Sequence, residues 1–261
     1  FVVVAIVNNK GGTGKTTTAV NLAACMAAQG RRVLLVDLDA QASASFALGA
    51  GDPAGGPTLV DVLFGGRSIQ EAARSTPVPG LTLIPAEMEL ASADLMLADA
   101  PDRERRLAAA LAPCRPDGAF PHDLLLLDCP PALSLPAVNA LVAADGLIVP
   151  VTPEYLALEG LVNLMTAVDR VRRGLGASAP LLGILFTLTP PGGKAAKAVI
   201  NLVRERFGDQ VFETEIRRDV RVAEAPAYNQ TIFEYAPDCR GAAGYRDLTE
   251  ELAERLEALA P

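Results

Sequence analysis

Residues 10–17 combine glycine, threonine and lysine with a spacing that is typical of phosphate binding. They read Lys10-Gly11-Gly12-Thr13-Gly14-Lys15-Thr16-Thr17. The general phosphate-loop pattern is Gly, four residues, Gly-Lys and Ser or Thr, and its first glycine is replaced here by Asn9. Glycines let backbone N–H groups converge on an anion, and a helix N-terminus adds partial positive charge. We expect this backbone to bind phosphates, with Lys15 neutralising the β- and γ-phosphates and the Thr16 hydroxyl ligating Mg²⁺.

Aspartates at the ends of two apolar runs complete the predicted site. Asp37 and Asp39 end the second predicted strand, and Asp128 ends a later one, just before Pro130 and Pro131. Ligands of open parallel sheets bind beyond the carboxyl ends of the strands, so we expect these carboxylates to lie near the phosphate loop. Asp128 is the candidate Walker B residue, which holds Mg²⁺ directly or through water. The two prolines stiffen a loop that would respond to the γ-phosphate.

Alternating strands and helices must position these groups. Apolar runs predict strands at residues 1–7, 32–37, 81–85, 123–128, 146–151 and 181–188. A further short strand is predicted near residues 210–213. Helical spacing predicts helices at 16–29, 103–112, 135–144, 155–173, 194–207 and about 242–259. This alternation indicates an α/β fold with a doubly wound, mostly parallel sheet flanked by helices. No stretch has the composition of a linker, so we interpret residues 1–261 as a single domain.

Composition excludes several classes of protein. The chain has 261 residues, of which 50% are apolar, and this excludes disordered chains and small disulfide scaffolds. Its net charge of −8 argues against coating DNA or membrane by bulk charge, but allows a local basic patch. The four cysteines form no CxxC pair, and the single histidine, His122, precedes a predicted strand. We interpret these residues as structural and, with no signal peptide in the sequence, expect a cytoplasmic location.

Besides Lys15, the loop contains another lysine, Lys10, and this residue distinguishes one class of phosphate-loop proteins from the others. Lys-Gly-Gly-x-Gly-Lys-Thr-Thr is the deviant Walker A loop, and the chain resembles the ParA/MinD class of ATPases. Residues 16–23, 30–37, 154–160 and 218–226 look like the small chromosomal ParA proteins, also called Soj. The resemblance covers nearly the whole chain. It implies ATP and Mg²⁺ as ligands, an ATP-dependent homodimer, non-specific DNA binding by that dimer, and hydrolysis stimulated by a cargo-bound ParB-type adaptor.

The resemblance also assigns roles to single residues. It implies that Lys10 reaches the nucleotide of the other subunit across a sandwich dimer, as an arginine finger supplied in trans would. It implies that Asp39 orients the attacking water and that Asp37 lies nearer the metal. Thr187 and Arg218 are candidates for adenine contacts from their positions alone. We expect slow turnover in the absence of the adaptor.

The sequence departs from the family pattern in three places, which affect the loop after the second strand and the DNA-binding surface. The family reads Asp-Pro-Gln-Gly-Asn after the second strand, whereas residues 39–43 read Asp-Ala-Gln-Ala-Ser. The chemistry is retained, but the backbone loses a proline and a glycine. A family arginine that belongs to the DNA-binding surface aligns with Gly192, which puts nucleoid binding in doubt. Arg217 stands where the family has proline and adds a positive charge.

A basic stretch in the last third of the chain is the candidate DNA-binding surface. Residues 194–246 contain nine basic and eight acidic side chains, against −8 for the whole chain. A patch that follows the phosphate backbone would therefore lie here. Its candidate contacts are Lys194, Lys197, Arg217 and Arg221. Arg221 lies in a segment that matches the family, and the two lysines begin a helix close to the missing arginine.

The cargo and several other functions stay open. Relatives that position carboxysomes or chemotaxis clusters use the same ATPase cycle as those that partition chromosomes or plasmids. A MinD-like membrane protein would need a basic amphipathic C-terminal helix, but residues 246–261 carry five acids and two bases. An iron–sulfur reductase would need cysteine ligands, and Cys114 and Cys129 lie in no recognisable ligand motif. A dethiobiotin synthetase-like ligase shares the loop but not residues 218–226, and a scaffold without hydrolysis would not need Lys10 and Asp39.

Overall fold

One sheet of eight strands organises the computed structural model, which describes residues 1–50, 55–115, 120–177 and 179–258. The strands are β1 (Val2–Ile6), β2 (Val33–Asp37), β3 (Arg74–Ser75), β4 (Leu81–Ile84), β5 (Leu124–Asp128), β6 (Gly146–Val151), β7 (Leu181–Thr189) and β8 (Val211–Arg217). Their order across the sheet is β3-β4-β2-β5-β1-β6-β7-β8. Neighbouring strands are parallel except β3 and β4. The predicted α/β class with a mostly parallel sheet is confirmed.

Helices lie on both faces of this sheet. They are α1 (Lys15–Ala28), α2 (Ser43–Ala47), α3 (Leu59–Leu63), α4 (Ile69–Ala72), α5 (Ala93–Met96), α6 (Arg106–Leu111), α7 (Leu135–Ala143), α8 (Ala157–Leu175), α9 (Lys194–Phe207), α10 (Val220–Glu224), α11 (Ile232–Tyr235) and α12 (Arg240–Glu257). Within the described ranges, no helix is long and apolar enough to cross a membrane.

Two hydrophobic cores follow from the alternation of side chains along each strand. In β1, Val3 and Ala5 face the core covered by α6, α7, α8 and α9, whereas Val4 and Ile6 face the core covered by α1 and α12. Both faces of the central strands are therefore apolar, which explains why the strands appear in the sequence as continuous apolar runs. Charged groups are excluded along these strands and appear where the strands end, at the site.

Most predicted boundaries agree with the structure to within two residues, and the exceptions have local causes. The region predicted as helix 103–112 begins with a 3₁₀ turn, Arg103–Arg105, before α6. Strand β8 extends to Arg217 rather than ending near 213, because it lies at the edge of the sheet and exposes alternate polar residues. The predicted end of the last helix, Leu259, lies outside the described residues. The interpretation of residues 1–261 as a single domain stays a prediction.

Candidate functional site

The phosphate loop connects the carboxyl end of β1 to the first residue of α1. Gly12 and Gly14 have φ angles of 74° and 76°, in the left-handed region that favours glycine. A Cβ atom added at Gly11 or Gly12 would meet no atom within 4 Å, so space is open beside the loop. Together with Asp39 and Pro131, the loop lines a cavity of about 210 Å³. The predicted phosphate-binding residues and Asp39 therefore lie around one space.

The two lysines of the loop have different surroundings. Lys15 is 6% exposed, and its ammonium group donates to the carbonyl oxygen of Lys10 at 3.0 Å. Burial lowers the pKa of Lys15, while the nearby Asp128 carboxylate acts in the opposite direction. Lys10 is exposed, and its ammonium group pairs with Glu154, between β6 and α8. Each lysine thus has a partner within its own subunit.

Asp37 and Asp128 are adjacent on β2 and β5, yet their hydrogen bonding differs. Asp37 accepts from the backbone N–H groups of Asp39 at 3.1 Å and Ser45 at 2.9 Å, and from the Ser45 hydroxyl at 2.8 Å. Both carboxylate oxygens of Asp128 are buried without a hydrogen-bond partner among the described residues. Burial raises the pKa of Asp37 to about 6 despite its hydrogen bonds. Burial, and then the Asp37 charge, raise the pKa of Asp128 well above its usual value.

The unpartnered Asp128 carboxylate fits a cation at this position. Buried polar groups are normally hydrogen-bonded; the Thr16 hydroxyl lies near enough to the Asp128 carboxylate to lower its pKa, but does not reach hydrogen-bond geometry. Within the described ranges, no group of three His, Cys, Asp or Glu side chains could hold a metal ion. Mg²⁺, however, usually takes one or two carboxylates together with water and substrate phosphates. Thr16 and Asp128 therefore fit Mg²⁺, whereas the oxygens of Asp37 already accept protein hydrogen bonds and its metal role stays a prediction.

Asp39 is half-buried and begins a turn that contains backbone strain. Its side chain accepts from the N–H of Gln41 at 3.0 Å, and its carbonyl accepts from the N–H of Ala42 at 2.8 Å. Ala42 has a φ angle of 51°, in the left-handed region. The family pattern has glycine at this position. The turn after Asp39 is therefore preserved, but here a residue with a side chain adopts the conformation.

Of the two candidates for adenine contacts, Thr187 is buried against the phosphate loop and Arg218 is exposed. The hydroxyl of Thr187 donates to the carbonyl of Thr13 at 2.8 Å, and the side chain lies 3.6 Å from a Cβ built at Gly14. Thr187, on β7, therefore holds the phosphate loop in place through Thr13 and Gly14. Arg218 is exposed after β8. The pKa of Glu154 is lowered chiefly by the hydrogen bond from Lys10, and the Arg218 charge acts in the same direction. An adenine contact stays a prediction for both residues.

A second cavity of about 210 Å³ adjoins the loop and was missed by sequence reasoning. It is lined by Thr16, Thr17, Val20, Asn21, Ser43, Ala47, Ala225, Pro226 and Gln230. Asn21 is held in place, because its amide donates to the Thr17 carbonyl and accepts from the Ile232 N–H, both at 2.8 Å. The family likeness of residues 218–226 was the one sequence signal that pointed to this wall of the site.

The candidate DNA contacts are exposed on α9, β8 and α10, namely Lys194, Lys197, Arg217 and Arg221. The two lysines occupy the first turn of α9, and neither has an acidic partner in the part of the chain that the structure describes. Arg221 forms two hydrogen bonds to the Asp219 carboxylate, at 2.9 and 3.0 Å. Gly192 has a φ angle of 87°, so the position of the family arginine adopts a conformation that disfavours a side chain.

His122 lies away from the loop, whereas Cys129 directly follows Asp128 and is close enough to Lys15 to act on its pKa. His122 lies before β5, at the opposite end of the sheet, and its ring nitrogen Nε2 is 2.7 Å from the Thr82 hydroxyl. All four cysteines are buried free thiols. Their structural interpretation stays a prediction, and it agrees with the positions of these residues.

Comparisons with known proteins identify the family. A family model described as an AAA domain matches residues 1–178. The chain is 41% identical over 253 residues to the chromosome partitioning protein ParA of Caulobacter vibrioides, covering 97% of this chain and 94% of that protein. It is 44% identical over 254 residues to the chromosome-partitioning ATPase Soj of Thermus thermophilus, covering 97% and 96%.

A solved structure shares the fold as well. Cobyrinic acid a,c-diamide synthase from Mycobacterium smegmatis, crystallised with an ATP analog and magnesium, matches with a TM-score of 0.84 and 33% identity. The match covers 98% of this chain and 96% of that one. In sequence, the likeness to the partitioning proteins is greater and also extends over nearly their whole length. The chain belongs to the ParA/Soj family of ATPases.

Proposed function

We propose that this chain binds and hydrolyses ATP with Mg²⁺, dimerises in the ATP state, and binds DNA without sequence specificity in that state. Its output is the segregation of a chromosome or plasmid with a ParB-type adaptor. The observation that carries the proposal is the buried, unpartnered Asp128 carboxylate beside an open glycine loop that bears Lys10 and Lys15. The names of the partitioning relatives support the cargo class.

The residues of the loop have separate tasks in this proposal. Backbone N–H groups of residues 11–17 orient the phosphates, and Lys15 exchanges the Lys10 carbonyl for phosphate oxygens. Thr16 and Asp128 hold Mg²⁺, which neutralises charge on the transferring phosphoryl group when it is bound. Asp39 accepts a hydrogen bond from the attacking water and so orients it. Lys10 of each subunit adds positive charge at the nucleotide of the other, so hydrolysis is coupled to dimerisation.

The cavity beside α1 is the best place for the nucleoside. It adjoins Thr17 at the end of the phosphate loop, and its lining combines apolar side chains with uncharged polar ones. A planar base takes such surroundings, with a few polar groups that fix its orientation. Ala225 and Pro226 belong to the segment that resembles the family, and Gln230 follows it on the same wall of the cavity. Thr187 would then affect nucleotide binding by holding the Thr13 carbonyl in the phosphate loop, and not by contacting the base.

Lys194, Lys197 and Arg217 are the main DNA contacts in this proposal, because all three are exposed and the two lysines have no acidic partner in the described ranges. Contacts to phosphates need only positive charge and hydrogen-bond donors, and they carry no sequence information. A protein that acts on DNA in this way is cytoplasmic and associated with the nucleoid.

Binding to random-sequence duplex DNA, with ATP or ADP at near-physiological salt, tests this proposal. Asp39→Ala is included to keep the protein in its ATP state. We expect salt-sensitive binding with ATP only. Absence of binding in both nucleotide states, with ATP bound and hydrolysed, would refute the DNA-dependent part of the function.

ATP turnover in the absence of any second substrate tests the enzymatic part. A synthase like the Mycobacterium smegmatis protein would couple ATP use to an acceptor molecule, whereas a partition ATPase hydrolyses ATP alone, slowly, and faster with its adaptor. ADP release that requires a small-molecule acceptor would therefore contradict the proposed function.

A further inference from the structure

Lys10 is engaged by an acidic residue of its own subunit. Its ammonium group pairs with the Glu154 carboxylate, which lies 144 residues further along the chain. The two side chains are 57% and 60% exposed, so the pair is at the surface. The Lys10 ammonium also lowers the pKa of Glu154. In the proposed function, the same lysine must reach the other subunit.

The backbone of Lys10 is fixed independently of this pair. Its N–H donates to the Asn8 side chain at 3.0 Å, and its carbonyl accepts from Lys15 at 3.0 Å and from the Thr13 hydroxyl at 3.4 Å. Asn8 is itself bonded to the Pro150 carbonyl at 2.6 Å. The side chain of Lys10 is therefore the part that can exchange partners, and Glu154 is what holds it.

The surroundings of the pair resemble a surface that another protein covers. Tyr155 and Leu156 follow Glu154 directly and are 92% and 61% exposed. A cavity of about 310 Å³, lined by Lys10, Leu156 and Glu159 among others, lies beside them. Contiguous exposed apolar surface beside an open cavity is a common feature of interaction surfaces. The side chain that must leave its own subunit thus lies at the edge of a face suited to a second copy.

We propose that Glu154 is a positioning residue that retains Lys10 within its own subunit, so that dimerisation must exchange this ion pair for contacts with the other subunit. The inference rests on the proposed function, because it concerns the same lysine and the same dimer. Glu154 opposes dimerisation in every nucleotide state, and only a subunit with bound phosphates offers Lys10 an alternative partner. The pair therefore weakens the dimer, and contacts of Lys10 with bound phosphates offset this loss.

Glu154→Gln tests the inference, since it removes the charge and keeps the size of the side chain. An exposed ion pair changes an equilibrium constant by a factor of about 1.5 to 5, and one dimer must break two pairs. With AMPPNP and Mg²⁺, we expect the dissociation constant of the dimer to fall by about 2- to 25-fold, as measured by sedimentation. Without nucleotide, the variant should stay monomeric at the same concentrations.

Glu159→Gln is the matched control. It makes the same charge change five residues away, on the first turn of α8 and on the same cavity, and Glu159 has no ion pair within the described ranges. Its dimer should dissociate as the wild type does. Glu154→Asp, which keeps the charge, should return the dissociation constant to within about twofold of wild type. The affinity of dilute monomers for a fluorescent ATP analogue should be unchanged in all three variants.

The outcomes separate the inference from the function on which it rests. If the wild type dimerises with AMPPNP and Glu154→Gln dimerises equally or less well, the inference is wrong and the proposed function stands. An equal gain in Glu159→Gln would also overturn it, because general charge repulsion would then explain the effect. If neither the wild type nor any variant dimerises, the dimer of the proposed function is refuted and the inference with it.

Discussion

The phosphate site contains buried charged side chains, whereas those of the candidate DNA surface are exposed to water. At the phosphate site, Lys15 and Asp128 are buried, and the Asp128 carboxylate lacks a hydrogen-bond partner among the described residues. On the DNA surface, Lys194 and Lys197 are exposed to water and Arg221 is already paired with Asp219. Buried unsatisfied groups lower stability and require a ligand, whereas solvated cations do not. A site of the first kind is therefore recognisable without its ligand, and one of the second kind is not.

At the buried phosphate site, Lys15→Ala is expected to have the largest effect, a loss of ATP affinity. Charge-assisted hydrogen bonds contribute about 1.5–3 kcal/mol each, and the ammonium has three donors. We expect ATP affinity to fall by at least about a hundredfold, as measured by calorimetry. Lys194→Ala, which removes a lysine from the exposed surface, should leave ATP affinity within about twofold of wild type. Equal losses in the two variants would remove the distinction between the regions.

Asp39→Ala should separate ATP binding from hydrolysis. Orientation and deprotonation of the attacking water by a carboxylate contribute about a hundredfold or more, so we expect turnover to fall by about that factor. ATP binding should persist, because the side chain of Asp39 bonds only to the N–H of Gln41 among the described residues. The ATP-bound dimer should accumulate in size-exclusion chromatography. Hydrolysis at the wild-type rate would refute the role of Asp39.

Asp128→Asn tests whether the buried carboxylates destabilise the empty protein. Their pKa values are raised on folding, to about 6 for Asp37, so their contribution to stability is complete below about pH 4. It is lost as the pH rises through 6 and beyond. At pH 7.5, without nucleotide or Mg²⁺, we expect Asp128→Asn to raise the free energy of unfolding by about 1–3 kcal/mol, which is the usual cost of burying a polar group without a partner.

Urea denaturation between pH 4 and 8 measures this effect. The gap between Asp128→Asn and the wild type should narrow towards pH 4, where the folded Asp128 is protonated and, like Asn, neutral and of the same size. Addition of ATP and Mg²⁺ should stabilise the wild type more than the variant, which retains the phosphate loop but lacks one of the two residues that would hold Mg²⁺. A variant that is less stable than the wild type at pH 7.5 would mean that Asp128 has a partner in the empty protein.

The exposed surface is tested by the salt dependence of DNA binding. Each lost phosphate contact reduces the slope of log affinity against log salt by about 0.9. The double variant Lys194→Ala with Lys197→Ala should therefore reduce the slope by about 2. Arg221→Ala should change it by less than about 0.5, because its guanidinium is already neutralised by Asp219. A larger effect of Arg221 would show that this ion pair opens on DNA.

The smallest effect concerns the strained turn after Asp39. Ala42 adopts a left-handed conformation, which costs a residue with a side chain about 1 kcal/mol. Ala42→Gly should raise the free energy of unfolding by about that amount. Ala40→Gly is the control, since Ala40 is outside that region, and it should lower stability by about 0.5–1 kcal/mol. A loss in both variants would mean that the turn carries no strain.

The sequence was sufficient for the elements that have a strong local signal. The apolar run that ends at Asp128 and the glycine loop before α1 both have their predicted positions. Strand β3, with two residues, and the short helices α2 to α5 were not predicted, because they contain too few residues to show a period. The sequence could not distinguish the roles of Asp37 and Asp128. They differ because Ser45 donates two hydrogen bonds to the Asp37 carboxylate, and this contact is not visible in the sequence.

Contacts between distant parts of the chain could not be predicted from local pattern. The pairing of Lys10 with Glu154 joins residues 144 apart, and the bond from Thr187 to Thr13 joins residues 174 apart. Both depend on strands β6 and β7, whose carboxyl ends the parallel sheet places beside the loop. Sequence spacing gives the residue types at such a site, while strand order determines which of them meet.

The Thr187 hydroxyl also has a consequence for the kinetics of ligand capture. It holds the Thr13 carbonyl in place from β7, while Gly14 packs against the same side chain. The conformational entropy of the loop is therefore lost during folding, before any nucleotide arrives. Association should then approach the rate at which nucleotide diffuses to the loop, and differences in residence time should arise from dissociation. Thr187→Val, which removes the tether and keeps the shape, would shift part of that ordering into the binding step.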